Sequence, residues 1–98
     1  MILDDLREVI LDRKSNPFSG SYVSSLFGKG KDVILKKIGE ESAEVIIASK
    51  SQDNEQLIHE LADLWFHCMV LMAEEGISHS DILRELEKRY EKGKSSHG

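Results

Sequence analysis

Ile2, Leu3, Leu6, Val9 and Ile10 recur at three- and four-residue spacing at the start of the chain. That repeat lines one face of an α-helix. The stripe ends near Lys14, where the run SNPFSGS interposes proline and glycine. Tyr22 to Phe27 leaves room for a short helical turn, and Gly28 and Gly30 then mark a loop rich in glycine and lysine. A long helix is expected from about Asp32 to Ser49. Asp53 with Gln56 three residues later reads as a capping box for a fourth helix, Glu55 to Glu75, which Gly76 stops. Ser78 and Asp81 repeat the box, with Ile77 and Ile82 as a hydrophobic staple, and the last helix should end near Lys92, ahead of Gly93. No segment alternates with the period of two that a half-buried strand needs. The expected fold is therefore all-α: an antiparallel bundle of four to five helices in one domain over residues 1–93, with 94–98 as a disordered tail.

Composition narrows the possibilities. A chain of 98 residues can bury one core, near the size at which a second subunit often helps. A single proline and 6% aromatic residues suit helices better than a sandwich or barrel. The formal charge of −5 argues against a nucleic-acid partner, because gripping a phosphate backbone needs a basic stripe. The start of the chain is broken by Asp4, Asp5, Arg7 and Glu8, so no uninterrupted apolar stretch of a signal peptide is present. The longest apolar run, Leu64 to Ala73, contains His67 and is about half a membrane span. One cysteine, Cys68, has no partner within the chain and reads as an inert, buried thiol in a reducing cytoplasm.

The third and fourth helices each carry acids where apolar residues are expected. In KKIGEESAEVIIASK, Glu40, Glu41 and Glu44 fall within an arc of about 100° shared with Val33, Ile47 and Ala48. In IHELADLWFHCMVLM, Glu60, Asp63 and His67 occupy an arc of about 60° flanked by Leu64, Val70 and Leu71. The first set alone reads as a solvated face balanced by Lys36, Lys37 and Lys50. Together they place five carboxylates on faces expected to turn toward each other. Five such groups in a partly dry site stay ionised only if cations neutralise them, and oxygen-only ligands suit Mg²⁺ or Mn²⁺. Zinc is disfavoured, since Cys68 lies about 100° from His67 around the helix with no second cysteine or clustered histidine. His67 reads as the hydrogen-bond partner of an acid or as an interface residue; Trp65, Phe66, Met69 and Met72 read as core or dimer interface. His59, His79 and His97 have no local support for a role.

The spaced acids, E-E-x-x-E followed by E-x-x-D on the next helix, resemble the metal site of the all-α nucleoside triphosphate pyrophosphohydrolases, the MazG-like superfamily. Within it, SYVSSLFGKGKDVILKKIGEESAEVIIASK and ELADLWFHCMVLMAEEGIS resemble the phosphoribosyl-ATP pyrophosphohydrolases of histidine biosynthesis, over about three quarters of the chain. Ser42 stands where that pattern often has another small residue, and every acid of the motif is present. The resemblance implies hydrolysis of the α–β phosphoanhydride of phosphoribosyl-ATP, Mg²⁺ dependence with Mn²⁺ as a substitute, and a helical homodimer. It also implies that a separate cyclohydrolase takes the product, because the chain is as short as stand-alone members.

On this reading Glu40, Glu44, Glu60 and Asp63 hold the metal, and Glu41 ligates a further cation or activates water. Glu41 and Glu44 are the acids expected to be closest to catalysis. Lys29, Lys31 and Lys37 could meet the triphosphate, with the glycines beside Lys29 letting the loop close. Ser21 and Tyr22 are expected in the substrate pocket on the resemblance alone. Two other functions fit the same residues: a house-cleaning pyrophosphohydrolase for noncanonical or deoxynucleoside triphosphates, and a non-catalytic, cation-binding dimerisation module.

Overall fold

The structure, a computed structural model, describes residues 1–96 as five helices: α1 (Ile2–Ser15), α2 (Tyr22–Lys29), α3 (Lys31–Ser51), α4 (Asn54–Glu75) and α5 (His79–Ser96). No strand occurs among the described residues. The helix ends follow the local signals. Ser21 caps α2, its Oγ accepting from the Ser24 amide at 3.1 Å, and Asp53 caps α4 by accepting from the Gln56 amide at 3.2 Å. Gln56 does not return the favour as a full box would; its own amide turns to Glu60. The Ser78 amide donates to Asp81 Oδ2 at 2.9 Å, so the second box does anchor α5. Gly76 closes α4 at φ 74°, a left-handed turn that glycine adopts without strain.

Two boundaries differ from expectation. The loop expected behind Phe27 is absent: α2 runs on through Gly28 to Lys29, and Gly30 alone joins it to α3. Its φ of 102° permits that one-residue corner. At the far end, α5 continues through Gly93 to Ser96, since one glycine costs a helix only about 1 kcal/mol. Of the expected tail, His97 and Gly98 lie outside the described residues.

A two-residue link, Gln52 and Asp53, folds α3 and α4 into the antiparallel hairpin that forms the most extensive helix pair. α1 and α2 pack across one end of it. There Ile10, Leu26, Ile34, Met69, Val70 and Ala73 form the sealed core, ringed by Leu6, Val23, Phe27, Ile38 and Phe66. Each fully buried aliphatic side chain is worth about 1.5–3 kcal/mol relative to exposure. α5 packs little on the rest and leaves Ile82, Leu83, Leu86 and Tyr90 exposed. It is tied to α1 by buried His79, whose Nε2 lies 2.8 Å from Asp4 Oδ1. Among the described residues no helix is long and apolar enough to cross a membrane.

The link end of the hairpin is uncovered. Ile46, Ile47 and Ile58 are exposed there, and Trp65, midway along α4 and beside α1, is 62% exposed. The inner faces marked by periodicity are thus only partly covered within one chain: Ala48, Glu60, His67 and Val70 are buried, whereas Ile47 is not. One chain has too few helices to cover both ends of a hairpin this long.

Candidate metal centre

α4 brings three ligand-bearing side chains together. Glu60 and Asp63 are three residues apart and His59 is four before Asp63, so one helical face presents all three. One ligand atom from each lies within 4.8 Å of the others. Glu60 is 8% exposed, and the hydrogen bond it receives is from a neutral amide, Gln56 Nε2, at 2.6 Å. No cationic side chain pairs with Glu60 among the described residues. A buried carboxylate in that position lacks the counter-charge that usually makes its burial tolerable. Asp63 is half-buried and has His59 Nε2 at 3.4 Å.

The acids of α3 are not members of that tight group. Glu41 is half-buried, Glu44 is exposed, and Glu40 is exposed and paired with Lys37 at 3.7 Å. The antiparallel register nevertheless sets them opposite α4's acids. Lys31 pairs with Glu75 at one end of the hairpin and Ser51 faces Asn54 at the other, which puts Glu44 level with the Glu60–Asp63 turn. The expected convergence is therefore one of level across two helices, with only the α4 group in close contact.

Tyr22, the first residue of α2, joins the site from a third helix. Its hydroxyl lies 2.7 Å from Nε2 of His67, and the two rings meet edge to face at 5.8 Å between centroids. Burial raises the phenol above its ordinary value, Lys37 opposes the shift, and Glu41, Asp63 and Glu40 add to it. The hydroxyl thus feels acids from both α3 and α4. Ser21, by contrast, has its hydroxyl occupied in capping α2. Ser42 turns its Oγ back onto the Ile38 carbonyl at 2.8 Å.

The lysines separate by position. Lys37 is half-buried within the acidic neighbourhood, and Lys29 is exposed at the end of α2. Lys31 sits nine residues before Glu40, about 13 Å along the helix. Its bond to Glu75 holds it at the other end of the hairpin and raises its ammonium above the ordinary lysine value. Burial likewise pushes the half-buried Cys68 thiol up, which disfavours the reactive thiolate.

Residues 3–90, which hold all five acids, Tyr22 and the three lysines, match the family described as phosphoribosyl-ATP pyrophosphohydrolase. The chain belongs to that family. A Clostridium botulinum (strain Hall) protein named phosphoribosyl-ATP pyrophosphatase is 56% identical over 91 residues, covering 93% of this chain and 83% of the relative. A Bacillus cereus (strain AH187) protein of the same name is 57% identical over 84 residues, covering 86% and 78%. The histidine biosynthesis bifunctional protein HisIE of Caldanaerobacter subterraneus is 52% identical over 91 residues, which is 93% of this chain and 44% of that longer protein.

For a phosphoribosyl-ATP pyrophosphohydrolase family chain, two residues at the site go beyond the sequence reading. His59 has a clear signal, its four-residue spacing from Asp63, although histidines are common on exposed helix faces and the spacing by itself carries little weight. His67 reads in the sequence as the partner of an acid or as an interface residue. It bonds instead to a phenol and, through Nδ1, to the main-chain carbonyl of Asp63 at 2.8 Å. The phenol could not be foreseen, because Tyr22 lies 45 residues away in the chain.

Proposed function

We propose that this chain hydrolyses phosphoribosyl-ATP between its α- and β-phosphorus atoms, giving phosphoribosyl-AMP and pyrophosphate in histidine biosynthesis. The observation that carries this reading is the match of residues 3–90, with every acid of the motif inside it, to the phosphoribosyl-ATP pyrophosphohydrolase family. In the reaction a water oxygen bonds to phosphorus, the anhydride P–O bond breaks, and its electron pair leaves on the departing phosphate. The relatives' names favour this substrate over a deoxynucleoside triphosphate and favour an enzyme over a passive cation-binding module.

Glu40, Glu44, Glu60 and Asp63 are the residues proposed to hold Mg²⁺, with Mn²⁺ as a substitute. The donor set fits, since the carboxylates are hard oxygen ligands and buried Glu60 has a missing counter-charge that a divalent cation would supply. When bound, the cation neutralises phosphate oxygens and favours hydroxide over water. The chain's own groups do the rest. Gln56 orients the Glu60 carboxylate and His59 steadies Asp63. Glu41, half-buried and outside the α4 group, accepts the proton of the attacking water. Lys37 and Lys29 meet the triphosphate charge, while Lys31 serves the far end of the hairpin.

The exposed Ile46, Ile47, Ile58 and Trp65, with an apolar cavity of about 380 Å³ between α1 and α4 reaching Asp63, support a homodimer that covers the link end. A cytoplasmic setting suits the single, unpaired cysteine. A separate cyclohydrolase is proposed to act on the product.

The experiment is direct. Purified protein should release pyrophosphate from phosphoribosyl-ATP only with Mg²⁺ present, with phosphoribosyl-AMP identified as the other product. Hydrolysis of dCTP or dUTP in its place would assign the site to a different nucleotide. If Asp63→Asn or Glu44→Gln folds normally by circular dichroism and still turns over at the wild-type rate, the residue roles are wrong.

A further inference from the structure

Tyr22, half exposed, and buried His67 form a joint between α2 and α4 whose hydrogen-bond polarity can be worked out atom by atom. His67 is 5% exposed. Its Nδ1 lies 2.8 Å from the carbonyl oxygen of Asp63, one helical turn earlier. A carbonyl oxygen only accepts, so Nδ1 carries a proton. In a neutral ring that leaves Nε2 bare, and Nε2 faces the Tyr22 hydroxyl at 2.7 Å. The phenol then donates its single proton to His67. The His67 ring is held between two others: Tyr22 meets it edge to face, and so does Phe66, at 5.4 Å between ring centroids.

We propose that His67 is a positioning residue that makes Tyr22 a hydrogen-bond acceptor at the carboxylate site, so that the Tyr22 oxygen receives an O–H donor and does not grip a phosphate. The donor is a water on the bound cation or a ribose hydroxyl of the nucleotide. With its proton spent on Nε2, the phenol oxygen offers only lone pairs to the site. A phosphate oxygen is itself an acceptor and gains nothing there; a hydroxyl or a metal-bound water does. The surroundings agree, since Glu41, Asp63 and Glu40 act on the phenol alongside the cation Lys37. The same His67 proton that sets this polarity also ties the ring to the turn that carries Asp63. The ribose arm rests on the function proposed above; the water arm rests only on cation binding.

The test uses Tyr22→Phe, which removes the hydroxyl, His67→Asn, which keeps a donor near the Nδ1 position but loses Nε2, and His67→Gln, which can place an acceptor oxygen near Nε2. Long-range ¹H–¹⁵N spectra of the wild-type protein at about pH 8, above the ordinary histidine range, should show the proton on Nδ1 and a bare Nε2 that shifts in Tyr22→Phe. A proton on Nε2 overturns the proposal. Mn²⁺ affinity, read by electron paramagnetic resonance without nucleotide, and the KM for phosphoribosyl-ATP separate the two donors. Tyr22→Phe and His67→Asn should each weaken the same one of these by about three- to tenfold, the double variant no further, with His67→Gln close to wild type. A change in Mn²⁺ affinity identifies the water, and a change in KM alone identifies the ribose hydroxyl. Neither changing, or additive losses, overturns the proposal. Should His67→Asn fail to fold, Tyr22→Phe carries the same readouts. A wild-type protein that binds Mn²⁺ but leaves phosphoribosyl-ATP intact sinks the proposed function, and unchanged Mn²⁺ affinity in Tyr22→Phe would then overturn the dyad as well.

Discussion

At one end of the α3–α4 hairpin, Ile34, Met69, Val70 and Ala73 are sealed beneath α1 and α2; toward the other, Ile46, Ile47 and Ile58 stand in solvent, as does Trp65 midway along α4. Both ends are built from the same kind of sequence, aliphatic residues at helical spacing. What differs is the cover. The sealed end has no charge inside it and serves stability. The open end carries Glu41, Glu60 and Asp63 partly or fully withdrawn from water, an arrangement that stabilises nothing until a cation joins it. The difference teaches that the candidate site lies where the single chain leaves its hairpin uncovered, away from the sealed core. The closed end is the packed one, and the proposed metal, nucleotide and second subunit all fall toward the open end.

The sharpest way to break this contrast is to truncate one aliphatic at each end. Ile34→Ala should cost about 2–5 kcal/mol in urea unfolding, as a buried deletion that leaves a cavity. Ile47→Ala, 60% exposed, should stay within about 0.5 kcal/mol when the protein is dilute enough to be monomeric. Equal costs at the two ends would mean that the link end is covered within one chain.

Charge should give the opposite pattern. Glu60→Gln removes a buried carboxylate that lacks a cationic partner, so without metal its melting temperature should stay level or rise. Its Mg²⁺-dependent turnover should fall by at least about 100-fold, a little beyond the loss typical of residues that merely orient a ligand. A marked drop in metal-free stability would show that Glu60 is structural. Trp65→Ala tests the cover itself: sedimentation should show dimer dissociation strengthened about 30-fold, the effect of a buried aromatic anchor worth about 2 kcal/mol. A wild-type protein that sediments as a monomer at all concentrations would remove the dimer from the account.

The smallest effect concerns the α1–α5 seam, which belongs to neither end. Asp81 is lowered below the ordinary carboxylate value mainly by the Ser78 amide, and Asp4 mainly by its bond to His79. A depressed carboxylate contributes stability that is complete above its unfolded value, near 3.8 for both, and that is lost as pH falls through the folded value. Helicity followed by circular dichroism should therefore hold down to about pH 4 and decline below it. Asp81→Ala should start lower and decline less.

Most of the helices are legible in the chain because their causes are local. The stripes of α1, α3 and α4, the caps at Asp53 and Ser78 and the stop at Gly76 need only neighbouring residues. The corner after α2 was harder to read. Gly28 and Gly30 look alike in the sequence, yet one sits inside a helix and the other turns at φ 102°, and the choice depends on α2 and α3 packing together. The five acids were legible as an anomaly, since charge on an apolar face stands out against periodicity alone. Their individual environments were not. Glu60 is buried while Glu44 is exposed, and Lys31 is drawn to Glu75 instead of the acids, because each outcome depends on which part of another helix lies opposite.

The amino-acid sequence by itself determined an all-α chain with five spaced carboxylates and, through residues 3–90, its family. Short-range spacing is enough for these, since helix periodicity, caps and motif distances are properties of neighbours along the chain. Only the tertiary structure decided which end of the hairpin is sealed, which acid loses its water, and that a tyrosine 45 residues from His67 bonds to it. Burial and long-range hydrogen bonds depend on what the fold brings opposite each side chain, and no local pattern encodes that.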